Sequence, residues 1–236
     1  MSVPAAARAQ THTLWDEAAR SPWRATLALT LLGLAGAFVI TVVLPYLALD
    51  RASFGRAPEV FWPRRYGLLL HISGGMLALL LVPIQLWLGL TQRNPVWHRR
   101  LGKLYLAGVA AGAAGAFYLS FTSPIPAGLS YHFGLFMLGV VWVMTTGMAW
   151  LAIRRRQIDW HRDWMIRSMI VTFAFVTFRI TETMLEWADM GSPADRLAVA
   201  AWTCWAVPLL LAEPVLQWRA MTRAQRGVVP GVRAVA

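Results

Sequence analysis

The chain has 236 residues, of which 58% are apolar and only 14% charged, with 22 Lys and Arg against 11 Asp and Glu. About 25% charge is usual for a globular domain, so an ordinary soluble fold is excluded. The net charge of +11 is not a nucleic-acid footprint either, because the basic residues sit in short segments between apolar runs. The single cysteine, Cys204, excludes an internal disulfide and any four-cysteine cluster within one chain.

A membrane-crossing helix needs about 20 mostly apolar residues. Six segments qualify, which predicts an all-α polytopic membrane protein with six spans in one bundle. The 24 residues that come first (1–24) read as a cytoplasmic segment with a short interfacial helix, Trp15 and Trp23 at the interface. Span one, 25–49, is uncharged. Asp16 and Glu17 precede it and no small-x-small cleavage site follows, so it is read as an uncleaved anchor. Span two, 66–91, is interrupted only by His71. Residues 104–153 contain no Lys, Arg, Asp or Glu, and Thr122-Ser123-Pro124-Ile125-Pro126-Ala127-Gly128 breaks them into span three, 101–121, and span four, 131–153. Span five, 164–187, carries Arg167, Arg179, Glu182 and Glu186. Span six covers 197–218, and 219–236 form a basic cytoplasmic tail. Pro83, Pro208 and Pro214 are expected to kink their helices.

Basic residues orient such a bundle. With the N-terminus inside, sixteen of the 22 Lys and Arg fall on the cytoplasmic side and five, Arg51, Arg56, Arg64, Arg65 and Arg196, on the other, with Arg179 in a span. Both termini are therefore expected in the cytoplasm, in a bacterial inner membrane, with anionic lipids as partners. Nucleotide-binding and zincin motifs are absent from the sequence, and no nucleic-acid partner is expected.

Four of the five histidines lie at or inside the spans. His71 is inside span two near its outer end, and His132 opens span four on the same side. His98 and His161 each precede a span, three and five, on the cytoplasmic side. The topology thus sorts them into an outer and an inner couple, each drawn from alternate helices. Imidazoles suit haem iron, zinc or copper, while an interfacial histidine can equally cap a helix or bond a lipid phosphate. The spacing His71 to His98 and His132 to His161 suggests a weak duplication of a helical hairpin.

On span five, His161, Met165, Ser168, Thr172, Phe175, Arg179 and Glu182 fall on one face. Arg179 must find a partner within the bundle, either Glu182 or an anion such as a haem propionate or a substrate carboxylate. Gly108 and Gly112 make a small-xxx-small face on span three, for close helix packing or for a flat ligand. Glu213 with Arg162, Asp163 and Arg167 reads as a salt-bridge network.

The blocks His98-Arg99-Arg100-Leu101-Gly102-Lys103-Leu104-Tyr105 and His161-Arg162-Asp163-Trp164-Met165-Ile166-Arg167-Ser168, with His71, Gly74-Gly75 and Gln85 upstream, resemble the DUF 2306 family of uncharacterised bacterial membrane proteins over roughly residues 25–185. That likeness implies no reaction. The order of the four histidines is also similar, in architecture, to the six-helix cytochrome b561 fold. This second resemblance implies a transmembrane electron carrier in which His71 and His132 ligate an outer haem b, and His98 and His161 an inner one, with Arg179 available to a propionate and a redox partner or quinone at the surface. Two other readings stay open: a metal-dependent membrane enzyme or metal carrier using His71, His132 and Glu182 or Glu186, and a non-catalytic permease or scaffold. The sequence assigns no oligomeric state.

Overall fold

The computed structural model describes residues 22–48, 50–54, 58–92, 94–124 and 128–227, with the side chains of 52, 53 and 224–227 excepted. The expected interfacial helix before residue 22 and the last nine residues of the tail lie outside this set. Among the described residues the regular structure is entirely helical, as the apolar runs require: hydrocarbon offers backbone amides no partner, so each run must close its hydrogen bonds internally.

The principal helices are α1 (Pro22–Phe38), α2 (Arg65–Thr91), α3 (Pro95–Thr122), α4 (Gly128–Arg154), α5 (Ile158–Thr172), α6 (Ala174–Trp187) and α7 (Pro193–Gly227). Five stretches are long and apolar enough to cross a membrane: Pro22–Ala48, Pro58–Thr91, Pro95–Thr122, Gly128–Arg154 and Pro193–Arg223. Helices α5 and α6, bent by 42° at a short break, make a sixth when taken as one broken span. The helices run past the apolar cores at several ends. In particular α3 begins at Pro95 and α5 at Ile158, so His98 and His161 each occupy the fourth position of a helix, bonding back to the carbonyls of Asn94 and Gln157.

Prolines reshape the helices in identifiable ways. Before Pro45, α1 widens into a π turn over Val39–Val43 and then tightens into a 3₁₀ turn over Leu44–Ala48. A proline cannot donate to the carbonyl four residues back and its ring crowds that group. In α7, Pro208 deprives the Cys204 carbonyl of its helical donor, and the Thr177 hydroxyl from α6 supplies one at 2.7 Å.

Helices α2 and α3 pack backbone to backbone. A Cβ on Gly74 would lie 2.3 Å from the Gly112 nitrogen and 2.6 Å from the Gly108 oxygen, and one on Gly115 would lie 2.5 Å from the His71 nitrogen. The small-residue face of span three is therefore filled by the glycines of span two. Helix α4 packs on α3, α5 and α7, and α1 leans on α2 through Ala35, Val39 and Val43 against Leu79. Arg24 at the start of α1 donates to the Leu90 carbonyl at the end of α2. This contact and the short α2–α3 and α4–α5 turns define one end of the bundle, which holds His98 and His161.

Replacing Gly74 by alanine should destabilise the protein by about 1–3 kcal/mol, since the obstruction is backbone that cannot rotate away. Gly147, which faces open space, is the control: Gly147→Ala should leave the thermal midpoint in detergent unchanged or slightly raised.

Candidate functional site

The centre of the bundle is a closed set of hydroxyls. Tyr105 from α3, Trp142 and Thr146 from α4, and Ser168 and Thr172 from α5 are all buried. The Tyr105 hydroxyl lies 2.7 Å from Ser168 Oγ and 2.8 Å from Thr172 Oγ1. Thr146 Oγ1 lies 2.6 Å from Ser168 Oγ, and the Trp142 indole donates to Thr172 Oγ1 at 2.9 Å. Thr172 donates in turn to the Ser168 carbonyl at 2.8 Å. One proton assignment satisfies every member: Thr146 donates to Ser168, Ser168 to Tyr105, and Tyr105 to Thr172. Back-bonding by Thr172 onto the Ser168 carbonyl accounts for the bend between α5 and α6, where neither proline nor glycine is present. The expected polar face of span five therefore exists, but it turns at Phe173 rather than running straight.

His71 is held on this core. Its Nδ1 donates to the Gly112 carbonyl at 2.8 Å, which in the neutral ring leaves the lone pair on Nε2. The ring beside it is Phe175, with centroids 5.3 Å apart; Phe175 also packs on Trp142. His132 lies farther along the bundle. Phe136 packs against Phe117 and Phe121, so His132, one turn beyond Phe136, sits past Phe121, while His71 is level with Gly115. The offset is about two helical turns, roughly 10 Å. The structure therefore does not bring the outer couple level. His132 packs instead on Tyr131, which lies against Phe178 and within electrostatic reach of Arg179 and Glu182. Arg179 itself pairs with Glu182 at 2.8 Å.

His98 and His161 lie within electrostatic range of each other, and Arg99 also acts on His98, but no ring contact or hydrogen bond joins the two imidazoles among the described residues. His161 Nδ1 donates to the Ala149 carbonyl at 2.9 Å, the same device that orients His71. The His98 ring lies against Gly89, where a Cβ would meet its Cε1 at 3.4 Å. Its backbone carbonyl accepts the buried Gln85 amide at 3.1 Å, and Asn94 caps the helix through Trp97 N–H. The Nδ1 atoms of His98 and His132 are buried with no hydrogen-bond partner among the described residues. Buried polar atoms are nearly always paired; Arg24 Nε and Ser123 Oγ share this unpaired condition.

Of the expected salt-bridge network, the Arg167–Glu213 part forms: Arg167 grips Glu213 in a fork, with Nε and Nη2 at 2.8–3.0 Å. Asp163 pairs instead with Arg223, which the sequence did not single out, and Arg162 pairs with Asp159. Among the described residues, no three His, Cys, Asp or Glu side chains converge on one point.

The sequence reading found Ser168 and Thr172 but missed Tyr105, Trp142 and Thr146. Their signal was available, as polar atoms deep in uncharged spans, but helical periodicity within one span cannot say which neighbour they face.

Thr172→Val should remove the shared acceptor of Trp142 and Tyr105 and cost about 1–3 kcal/mol for each buried group left unpaired. Tyr105→Phe, which leaves a single donor, the Ser168 hydroxyl, without its acceptor, should cost less. Unfolding in mixed micelles checks the order.

A family model described as a predicted membrane protein, DUF2306, matches residues 68–216. No curated protein and no solved structure shows a significant match.

Proposed function

This chain belongs to the DUF2306 family of predicted membrane proteins, an integral membrane protein with five or six spanning helices, and we propose that it is a b-type haem protein that moves electrons within the bilayer. The observation that supports the reading is that His98 of α3 and His161 of α5 stand at one end of the bundle within electrostatic range of each other, one ring with its Nδ1 tied to a carbonyl and the other with its Nδ1 buried and unpaired. His161 has what a haem-ligating imidazole usually has, an outer nitrogen fixed by a backbone acceptor, while His98 would offer its ring without that tether.

His98 and His161 would hold the haem, which would supply a one-electron carrier. The chain's own residues set the positions. Gln85 and Asn94 fix the first turn of α3, and Ala149 fixes the plane of His161. Arg99 gives this end the positive field that anionic propionates require. His71 and His132, offset along the bundle by about two turns and with Phe175 beside His71, do not form a second couple across one iron, and the proposal rests on His98 and His161 alone. Arg179, already paired with Glu182, would answer an anion at the opposite end, and a quinone or protein redox partner would exchange electrons at the surface. The sixteen-to-five division of basic residues supports a cytoplasmic face for the His98 and His161 end, in a bacterial inner membrane.

Protein purified from haem-replete cells should show a Soret band. His98→Ala and His161→Ala should each abolish the band of the inner haem while the thermal midpoint stays near that of the parent. A colourless preparation, or a His98→Ala variant with unchanged haem content, would overturn the reading.

A further inference from the structure

We infer that the bundle carries a specific site for one anionic phospholipid, in a groove between α4, α5 and α7. This proposal is independent of the haem reading and needs no cofactor. Two cavities, of about 260 Å³ and about 80 Å³, share Trp164 in their walls. One face of α4 and the turn after it runs along both: Val141 and Met144 line the larger, Met148 and Ala152 the smaller, with Arg155 in the turn just past the helix. From Val141 to Arg155 is fourteen residues, roughly 21 Å at 1.5 Å per residue. One leaflet of hydrocarbon is about 15 Å deep, so the two cavities, taken end to end past Trp164, span the length of an acyl chain plus the start of its headgroup.

The walls of the deep part present apolar surface because their polar atoms are already closed off. Thr145 donates to the Val141 carbonyl at 2.8 Å. Both oxygens of Glu213 are engaged by Arg167, and one also accepts from Gln217 at 2.7 Å. The Arg167 guanidinium lies over the Trp164 ring at 4.8 Å, and Leu209 and Leu210 complete the wall. A ligand with polar groups gains nothing there, whereas an acyl chain does.

The shallow end is the reverse. Arg155 and Gln157 line it, and no side-chain hydrogen bond or ion pair of either is among those formed within the described residues. They stand beside the positive-φ turn at Arg156, with Arg154 drawn off over Trp150. A guanidinium and an amide at the mouth of an apolar groove match a phosphate carrying an acyl chain.

The test is native mass spectrometry of the full chain in detergent with added phosphatidylglycerol or phosphatidylcholine, together with tryptophan quenching by phosphatidylglycerol brominated on its acyl chain. Phosphatidylglycerol should be retained over phosphatidylcholine by about fivefold, the factor expected of about 1 kcal/mol from one basic residue at the membrane surface. Arg155→Gln should reduce that preference to parity, while Lys103→Gln at the same end leaves it. The quench should shrink in Trp164→Phe, and Met144→Trp should lower occupancy by filling the groove. Equal retention of the two lipids, equal effects of Arg155→Gln and Lys103→Gln, or a quench unchanged by Trp164→Phe would each overturn the site. Should Met144→Trp fail to fold, the Arg155 and Trp164 variants decide.

Discussion

A polar atom inside a bilayer has no water to turn to, and the architecture follows from where each such atom finds its partner. The hydroxyls of Tyr105, Thr146, Ser168 and Thr172 and the Trp142 indole solve the problem jointly across three helices. Apolar packing alone would leave α3, α4 and α5 free to slide, because lipid tails are as apolar as leucine and association gains little from burial. The hydroxyl set removes that freedom, since a shift of one residue would orphan several groups at once. It also bends the fifth span, and the bend places Phe175 beside His71.

The same constraint explains the proline repairs and the glycine seam. Pro208 frees a carbonyl in α7, and Thr177 on the next helix answers it. The seam between α2 and α3 works through contact rather than hydrogen bonding. With Gly74 on Gly112 and Gly115 on His71, backbones approach to distances that no side chain would permit. That closeness is what lets the His71 ring reach the Gly112 carbonyl. A ligand-like feature of the sequence, the small-residue stripe of span three, is thereby used up in helix packing.

How much was legible can be judged from particular residues. Span existence followed from the uncharged runs, and the break at Ser123–Gly128 from its prolines and glycine. The broken fifth span did not, because its cause is Thr172, a hydroxyl whose effect depends on Trp142 and Tyr105 from other helices. Arg179 and Glu182, three residues apart on one helix, were a local pairing and could be read directly. His71 and His132 were grouped by topology, which gives the side of the membrane but not the depth; the depth comes from register, and register is set by the Gly115 and Phe136 contacts. His98 and His161 were placed just outside their spans, and the helices extend to include them because Asn94 and Gln157 start each helix a turn before the apolar core.

Satisfaction of hydrogen-bonding capacity separates the polar groups this bundle closes from those it leaves open. Arg167 and Glu213 are charged and inside a span, which by itself marks a functional hypothesis, yet the fork and Gln217 consume the acceptor capacity of the carboxylate. Thr172 is likewise complete. The histidines are different in kind. His71 and His161 each spend one nitrogen on a carbonyl and keep the other, and His98 leaves a buried nitrogen unanswered. Thr172, Cys204 and Glu213 are filled from within the chain, whereas the open imidazole nitrogens of His71, His98 and His161 leave capacity for the partner proposed above.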